Sequence, residues 1–523
     1  MNLPLYFHTI RNLKWPQIHY RLPVLRNFGR QVSKEELNKQ QAGQITGWTP
    51  SVPSVDLWQG GLAFRFLNQT HIFSNEVGWD FAGHGLLWAY NLNYFEFLVQ
   101  ENMDSDLGFK LIDRFLERYE QLKIAHDPYP ISLRLIFWIR FFIRQNNPPD
   151  FKYLLALHGQ AKELQSKLEF HILGNHLLEN AFALYISGCY LSDGSLLYKG
   201  SQLLRTQLKE QVLPDGGHFE LSPMYHQLML YRLLDAINVG RSCPAVKGKA
   251  ILPLLEHTAS KMLAWMENMC FSDGSFPLFN DAANGIAPMP VALAAYARRM
   301  GIVQDACALK ESGYRKWADV DWEMFIDAGR PGPKYQPGHA HCDALSFVLN
   351  IKGYPVFVDT GTSIYGGNSK IRLAEKSTAA HNTVQVDELE QSEIWGDFRM
   401  ARQAGVRIIS ETQSRLDAAH NGFRFSKTEH RRIFEKKQNA ILITDLVNDN
   451  GTARFHFHPG INIEFIDNNK VSFGHGMIEF EGNCRINGFD YKFAPHFGVR
   501  VPAKGLAVTF ERELASKVSF SVE

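Results

Sequence analysis

The period of the hydrophobic pattern changes once along this 523-residue chain, and that single change limits the fold more than any other feature. From about residue 85 to 310 apolar residues recur at helical spacing. The expected blocks are Leu86 to Gln100, Leu107 to Lys123, Ile131 to Arg144, Phe151 to Leu168, Leu177 to Leu191, Leu196 to Val212, Met224 to Val239, Ile251 to Met269 and Pro290 to Met300. Short breaks such as His126-Asp127-Pro128-Tyr129-Pro130 and Pro214-Asp215-Gly216-Gly217 separate them. No fixed-period repeat is present, but paired helices of this kind suit a toroid or solenoid. Between Gly329 and Gly338, three prolines and three glycines forbid a helix. Beyond this break the chain reads as short strands: Tyr354 to Val358, Thr383 to Val386, Arg407 to Ser410, Arg431 to Phe434, Ala440 to Thr444, Ala453 to His458, Ile461 to Phe465, Lys470 to Phe473, Met477 to Glu481 and Val518 to Val522. The expected fold is α+β and multidomain, with an N-terminal helical array, toroid or solenoid, followed by a C-terminal antiparallel β-sandwich. We divide the chain into an N-terminal segment (1–80) packing on the array, the array (81–322) and the sandwich (323–523).

Composition narrows the function classes. Lys and Arg total 55 against 54 for Asp and Glu, so a general nucleic-acid binder is disfavoured and any polyanion must meet a local basic cleft. The six cysteines include no C-x-x-C pair, which argues against a disulfide framework or a cysteine zinc site. Arg11 and Lys14 precede any long apolar run, so no secretory signal is visible, and Arg134 and Arg140 interrupt the best membrane candidate, Ile131 to Ile143. A cytoplasmic location is the default expectation, with periplasmic or secreted as the alternative.

Chemistry concentrates in two places. The run His339-Ala340-His341-Cys342-Asp343, with Asp359 and His381 downstream, offers imidazoles and carboxylates on one face if the segment is extended, with a buried strand following from Ala344 to Leu349. In the helical part, Gly174-Asn175-His176 opens one helix, and Glu220-Leu221-Ser222-Pro223-Met224-Tyr225-His226 opens another, with Ser222 as cap and Pro223 in the first turn. Tyr225 there lies in the field of the helix N-terminus, where a phenol pKa can be lowered towards a working base.

These residues resemble the heparinase II/III-like polysaccharide lyases, a resemblance that implies an N-terminal α-helical (α/α) toroid followed by a C-terminal antiparallel β-sandwich. The resemblance runs in order through Leu87-Trp88-Ala89-Tyr90-Asn91-Leu92-Asn93-Tyr94-Phe95, Pro128-Tyr129-Pro130-Ile131-Ser132-Leu133-Arg134, the Asn175 and Tyr225 segments, Pro277-Leu278-Phe279-Asn280-Asp281, the His339 run, Val358-Asp359-Thr360-Gly361, His381-Asn382-Thr383 and Trp395-Gly396-Asp397-Phe398-Arg399. Cys342 departs from the family's small residue and should point away from the histidines. The resemblance implies β-elimination on an anionic uronate polysaccharide, a glycosaminoglycan or bacterial exopolysaccharide, with Asn175 and His176 neutralising the uronate carboxylate. Tyr225 would be base, acid or both, and His339 its partner across the domain junction. Arg134, Trp138, Tyr90, His226, Arg399 and Trp395 would contact substrate, and His341, Asp359 and His381 would hold a structural zinc. A C5-uronyl epimerase or a non-catalytic polysaccharide-binding protein remains as the alternative.

Overall fold

A computed structural model describes residues 3–21, 45, 47–145, 147–424 and 426–520. The N-terminal half is helical and the C-terminal half is antiparallel sheet. Helices Leu86–Tyr94, Ser105–Arg118, Pro128–Ile143, Phe151–Ser166, Gly174–Tyr190, Gly194–Gln211, Pro223–Ser242, Ile251–Asn268 and Pro290–Arg299 match the nine expected blocks. Their apolar faces meet in one core that includes Trp88, Trp138, Phe182 and Leu233. Each such fully buried side chain contributes about 1.5–3 kcal/mol. The first of these helices stops short of the expectation because Phe95 turns into left-handed backbone at φ 60°, and a 3-10 turn, Glu96–Val99, takes over. Part of the N-terminal segment forms an unanticipated hairpin, Ala63–Phe66 with Gln69–Ile72, which places Phe66 against Trp88 and Phe64 against Phe97. Residues 1–2, 22–44 and 46 of that segment lie outside the described residues, as do positions 521 and 522 of the last expected strand.

The sheets begin earlier than the sequence pattern suggests. Strands Tyr314–Ala318 and Trp322–Asp327 precede the Pro/Gly break and pair with Phe347–Ile351 and Tyr354–Phe357 in a four-stranded antiparallel sheet. A ten-stranded antiparallel sheet, centred on Ala440–His456 and Val501–Phe520, packs against it. Met324, Phe347 and Val356 from the small sheet share a core with Phe434, Ile443 and Phe455 from the large one, which is how a sandwich buries its inner faces. Strands Arg415–His420 and Cys484–Phe493 were also unanticipated.

The break is therefore not a linker between the two architectures. It begins the excursion that joins two neighbouring strands, Trp322–Asp327 and Phe347–Ile351, and that excursion carries His339 and His341 to the helices. The His339–Asp343 run is loop and turn rather than strand, and Leu345 at φ 61° prevents extension until Phe347. Two smaller apolar clusters fasten the halves together: Met224, Tyr225 and Phe276 with Phe493 and Phe497, and Leu221, Trp265 and Phe279 with Phe325 and Val348.

Candidate active site

Asp281 is the centre of the site. Its carboxylate is fully buried, and one oxygen meets His339 Nδ1 at 2.9 Å while the other meets His341 Nε2 at 2.8 Å. Arg372, also fully buried, donates to both oxygens of the same group. Burial alone would raise the Asp281 pKa, but the guanidinium and the two imidazole donors overcome it and hold the carboxyl well below the usual range. An ionised carboxylate only accepts, so His339 carries a proton on Nδ1, and in the neutral ring Nε2 is the lone-pair nitrogen.

Asn175 faces that nitrogen. Its Nδ2 lies 3.3 Å from His339 Nε2 and donates to Glu220 Oε2 at 2.7 Å, while its backbone N–H donates to Glu220 Oε1. Both neighbours of the amide nitrogen are acceptors, which assigns the amide orientation. Gly174 makes this approach feasible: at φ +57° it adopts a backbone that side chains resist, and a Cβ there would stand 2.5 Å from Glu220 Oε1.

Tyr225 sits in the first turn of the Pro223–Ser242 helix, where Ser222 Oγ accepts its N–H at 3.3 Å and donates to the Asp281 carbonyl at 2.7 Å. Its ring lies 3.9 Å, centroid to centroid, from that of His339. The lowered phenol pKa expected from the helix terminus is not what the surroundings produce. Burial, then Tyr365 and Asp281 nearby, push it well above its ordinary value, so the phenol keeps its proton.

Left-handed non-glycine backbone recurs beside these groups: Leu173 (φ 68°) before Asn175, Leu221 (φ 58°) before Tyr225, Asn280 (φ 56°) before Asp281, and Leu345 after Asp343. Each costs about 1–3 kcal/mol, and such strain gathers where a fixed constellation is needed. Asn280 is one of the ties that hold it, donating to the Leu221 carbonyl at 3.1 Å and accepting from the His341 N–H at 2.9 Å.

His176 lies at the edge of the cluster with its side chain 30% exposed. Burial disfavours its charge, but Glu169, 2.9 Å from Nδ1, outweighs that and raises the pKa, with Glu220 and Glu179 adding to it. Tyr129 packs 4.6 Å from its ring, and an aromatic row through Tyr94 leads on to Tyr90, whose hydroxyl donates to Asp127. On the other side, Phe398 stands 6.1 Å from His339, Arg399 stacks over Trp395 at 4.8 Å, and Trp395 donates to Thr9.

Three of the expected substrate contacts are core residues instead. Arg134 is fully buried, and its guanidinium is spent on Gln160 and the carbonyls of Asn93 and Ala125. Trp138 is enclosed by the helices. His226 points away from the cleft, accepting from the His218 N–H and donating to the Met262 carbonyl, with burial lowering its pKa to about 3. The helical pattern places these side chains on helices but cannot say which face of a doubly buried helix looks inward. Conversely, Asp281, Glu220 and Glu169 had no assigned role. The first two stand inside the motif strings quoted above, and a carboxylate beside His or Asn was the available signal.

His341, Asp359 and His381 come together. His381 Nδ1 meets Asp359 Oδ2 at 2.7 Å, and the two imidazoles lie 5.3 Å apart. Among the described residues no group of three or more His, Cys, Asp or Glu is arranged as a ready ligand set. His341 Nδ1, His381 Nε2 and Asp343 Oδ2 are nevertheless buried without hydrogen-bond partners, which is donor chemistry a metal would satisfy. Cys342 turns away towards the Ser392 carbonyl.

Residues 131–298 match the Heparinase II/III N-terminus family and residues 303–521 the Heparinase II/III-like, C-terminal family. A heparin-sulfate lyase of Bacteroides stercoris is 26% identical over 386 residues, covering 65% of this chain and 54% of that protein, so the chain spans about half the length of this relative. Among solved structures, heparan sulfate lyase HepC of Pedobacter heparinus aligns with a TM-score of 0.59 at 18% identity, covering 88% of this chain and 81% of that one. Heparinase III aligns at 0.66 and 15% identity, covering 86% and 80%. At these identities the structures speak for the fold, and together with the sequence matches over most of the chain they show that it belongs to the heparinase II/III-like family.

Proposed function

We propose that this protein is a polysaccharide lyase that cleaves a uronate-containing polysaccharide of heparan type by β-elimination. The observation that carries the reading is the His339 ring, held on Asp281 through Nδ1, stacked 3.9 Å from the Tyr225 ring, whose phenol keeps its proton. The His176 imidazolium and the Asn175 amide neutralise the uronate carboxylate, which makes the C5 proton removable. His339 Nε2 takes that proton, the C4–O4 bond breaks as the C4–C5 double bond forms, and Tyr225 gives its proton to the departing oxygen. Asp281 stabilises the imidazolium so formed, and transfer of its proton to the phenolate resets the pair. The heparan preference rests on the names of the relatives alone. The test is incubation with heparan sulfate, chondroitin sulfate, hyaluronan and alginate, reading the ultraviolet absorbance of unsaturated uronate. Folded protein that yields none from any of them would overturn the proposal.

His176 gives this mechanism a pH signature. Its folded pKa is raised, so the imidazolium persists above 6.5 and is lost only as pH climbs through the higher folded value. We expect kcat/KM to fall on that alkaline side. His176→Gln should cost about 10- to 100-fold and flatten that limb; an unaltered pH profile would remove His176 from the mechanism.

His341, Asp359 and His381 would hold a zinc ion whose role is to satisfy buried lone pairs and brace the loop that carries His339. Protein purified without chelator is expected to contain about one zinc per chain and to melt at lower temperature once the metal is stripped. Metal-free protein of undiminished melting temperature would assign these side chains to hydrogen bonding only.

A further inference from the structure

The strongest feature outside the catalytic cluster is a basic depression of about 170 Å³ lined by His8, Arg11, Lys334, Arg402 and Arg424, together with Asn12, Ala401 and Gln403. It lies where the N-terminal helix Leu3–Ile10 and the turn after it pack on the segment that follows the Ile394–Gly396 and Arg399–Met400 hairpin. Tyr6 stacks on Trp395 at 4.9 Å and Thr9 accepts from the Trp395 indole, so the helix is held to the hairpin. Among the described residues, Glu393 opposes the charge through an ion pair with Arg402. Among the described residues, Arg11, Lys334, Arg399 and Arg424 pair with no carboxylate. The neighbouring cations also oppose one another: burial and then Arg402, Arg11 and Arg424 lower the His8 pKa, while burial and then Arg399 lower that of Arg21. In a chain whose formal net charge is +1, this is a local concentration of charge rather than a reflection of composition.

One short stretch of chain joins the depression to the catalytic cluster, from Phe398 beside His339 to Ala401 and Arg402 in the lining. Phe398 of the same hairpin touches the His339 and Tyr365 rings, and Lys334 lies on the loop that delivers His339. Arg399 stands in the chain between Phe398 at the cluster and Ala401 and Arg402 at the depression. We infer that the N-terminal helix and the hairpin form an exosite for the acidic groups, sulfate or carboxylate, of sugars beyond the cleavage point. The exosite makes the enzyme favour long, densely charged chains. This rests on the lyase reading for its polysaccharide, but it is tested through binding alone.

The experiment uses the Tyr225→Phe protein, so that binding is read without cleavage, and measures affinity by calorimetry for heparin tetrasaccharide, heparin decasaccharide and hyaluronan decasaccharide. Combining Arg11→Ala, Lys334→Ala and Arg424→Ala should weaken the heparin decasaccharide about tenfold, a few-fold for each exposed cation removed. The tetrasaccharide should weaken far less, and the salt dependence of decasaccharide binding should become shallower. Arg11→Lys with Arg424→Lys, which keeps the charge, should retain most of the affinity and guards against a folding artefact. An equal loss with hyaluronan assigns the site to carboxylates, and a loss with heparin alone assigns it to sulfates. Equal weakening of both heparin lengths, or no weakening of either, overturns the exosite. Length-dependent heparin binding by a protein that cleaves nothing would leave the exosite standing and remove the lyase reading.

Discussion

Tyr225→Phe is expected to reduce formation of unsaturated uronate by about 10³-fold or more, because it deletes the proton that the proposed mechanism delivers to the departing O4 oxygen. The change removes one oxygen from a side chain already packed among Met224, Phe276 and Phe497, so the helix start and the His339 contact remain. Polysaccharide affinity should therefore stay close to that of the parent, with the loss in kcat rather than in KM. The same comparison separates the alternatives. An epimerase would show no absorbance in either protein but would exchange the C5 proton in the parent, and a binding protein would show neither. A Tyr225→Phe protein that turned over at the parent rate would assign the leaving-group proton elsewhere and sink the proposed pairing.

The parts of this molecule that were legible from sequence are those that repeat or that stand next to each other in the chain. Helical periodicity located the helices because each buries an apolar stripe in a shared core, and the Ser222-Pro223 cap marked the start of the Tyr225 helix directly. The sheet boundary was misplaced because Tyr314–Ala318 and Trp322–Asp327 are rich in aromatic and charged residues rather than alternating aliphatics. The prolines and glycines that follow look like a linker when they are a loop between paired strands. The electrostatics were illegible for a different reason. Local reading gave Tyr225 the field of a helix terminus, but its pKa is governed by burial and by Tyr365 and Asp281, which are distant in sequence. Likewise Arg372 is fully buried against Asp281, a partner distant in sequence that no local pattern reveals. Two histidines two residues apart suggested a shared strand face. They do share something, but it is one carboxylate supplied by the helical half.

That shared carboxylate sets up the second large effect. Asp281→Asn removes the charge that balances Arg372 and both imidazoles at a position that is itself fully buried. Breaking a buried pair while leaving its partner behind costs about 3–5 kcal/mol, so the variant should melt well below the parent. The sign with pH follows from the depressed Asp281 pKa: its stabilisation is present above the ordinary carboxylate range and is lost as pH falls through the folded value. The gap between parent and variant should therefore close on acidification rather than widen. Activity should fall about 10²- to 10⁴-fold, because an amide no longer dictates that His339 keeps a proton on Nδ1 and, in the neutral ring, presents the Nε2 lone pair to the substrate. Asp281 acts through His339 and is a positioning residue, which separates the two losses in a double variant. Asp281→Leu with Arg372→Met replaces the ion pair by apolar groups and should recover much of the melting temperature. It should not recover turnover, since no acceptor remains to fix the His339 tautomer. If the double variant regained both, Asp281 would be a packing element only; if Asp281→Asn alone kept the parent's kcat and pH profile, the tautomer assignment on which the His339 base depends would be wrong.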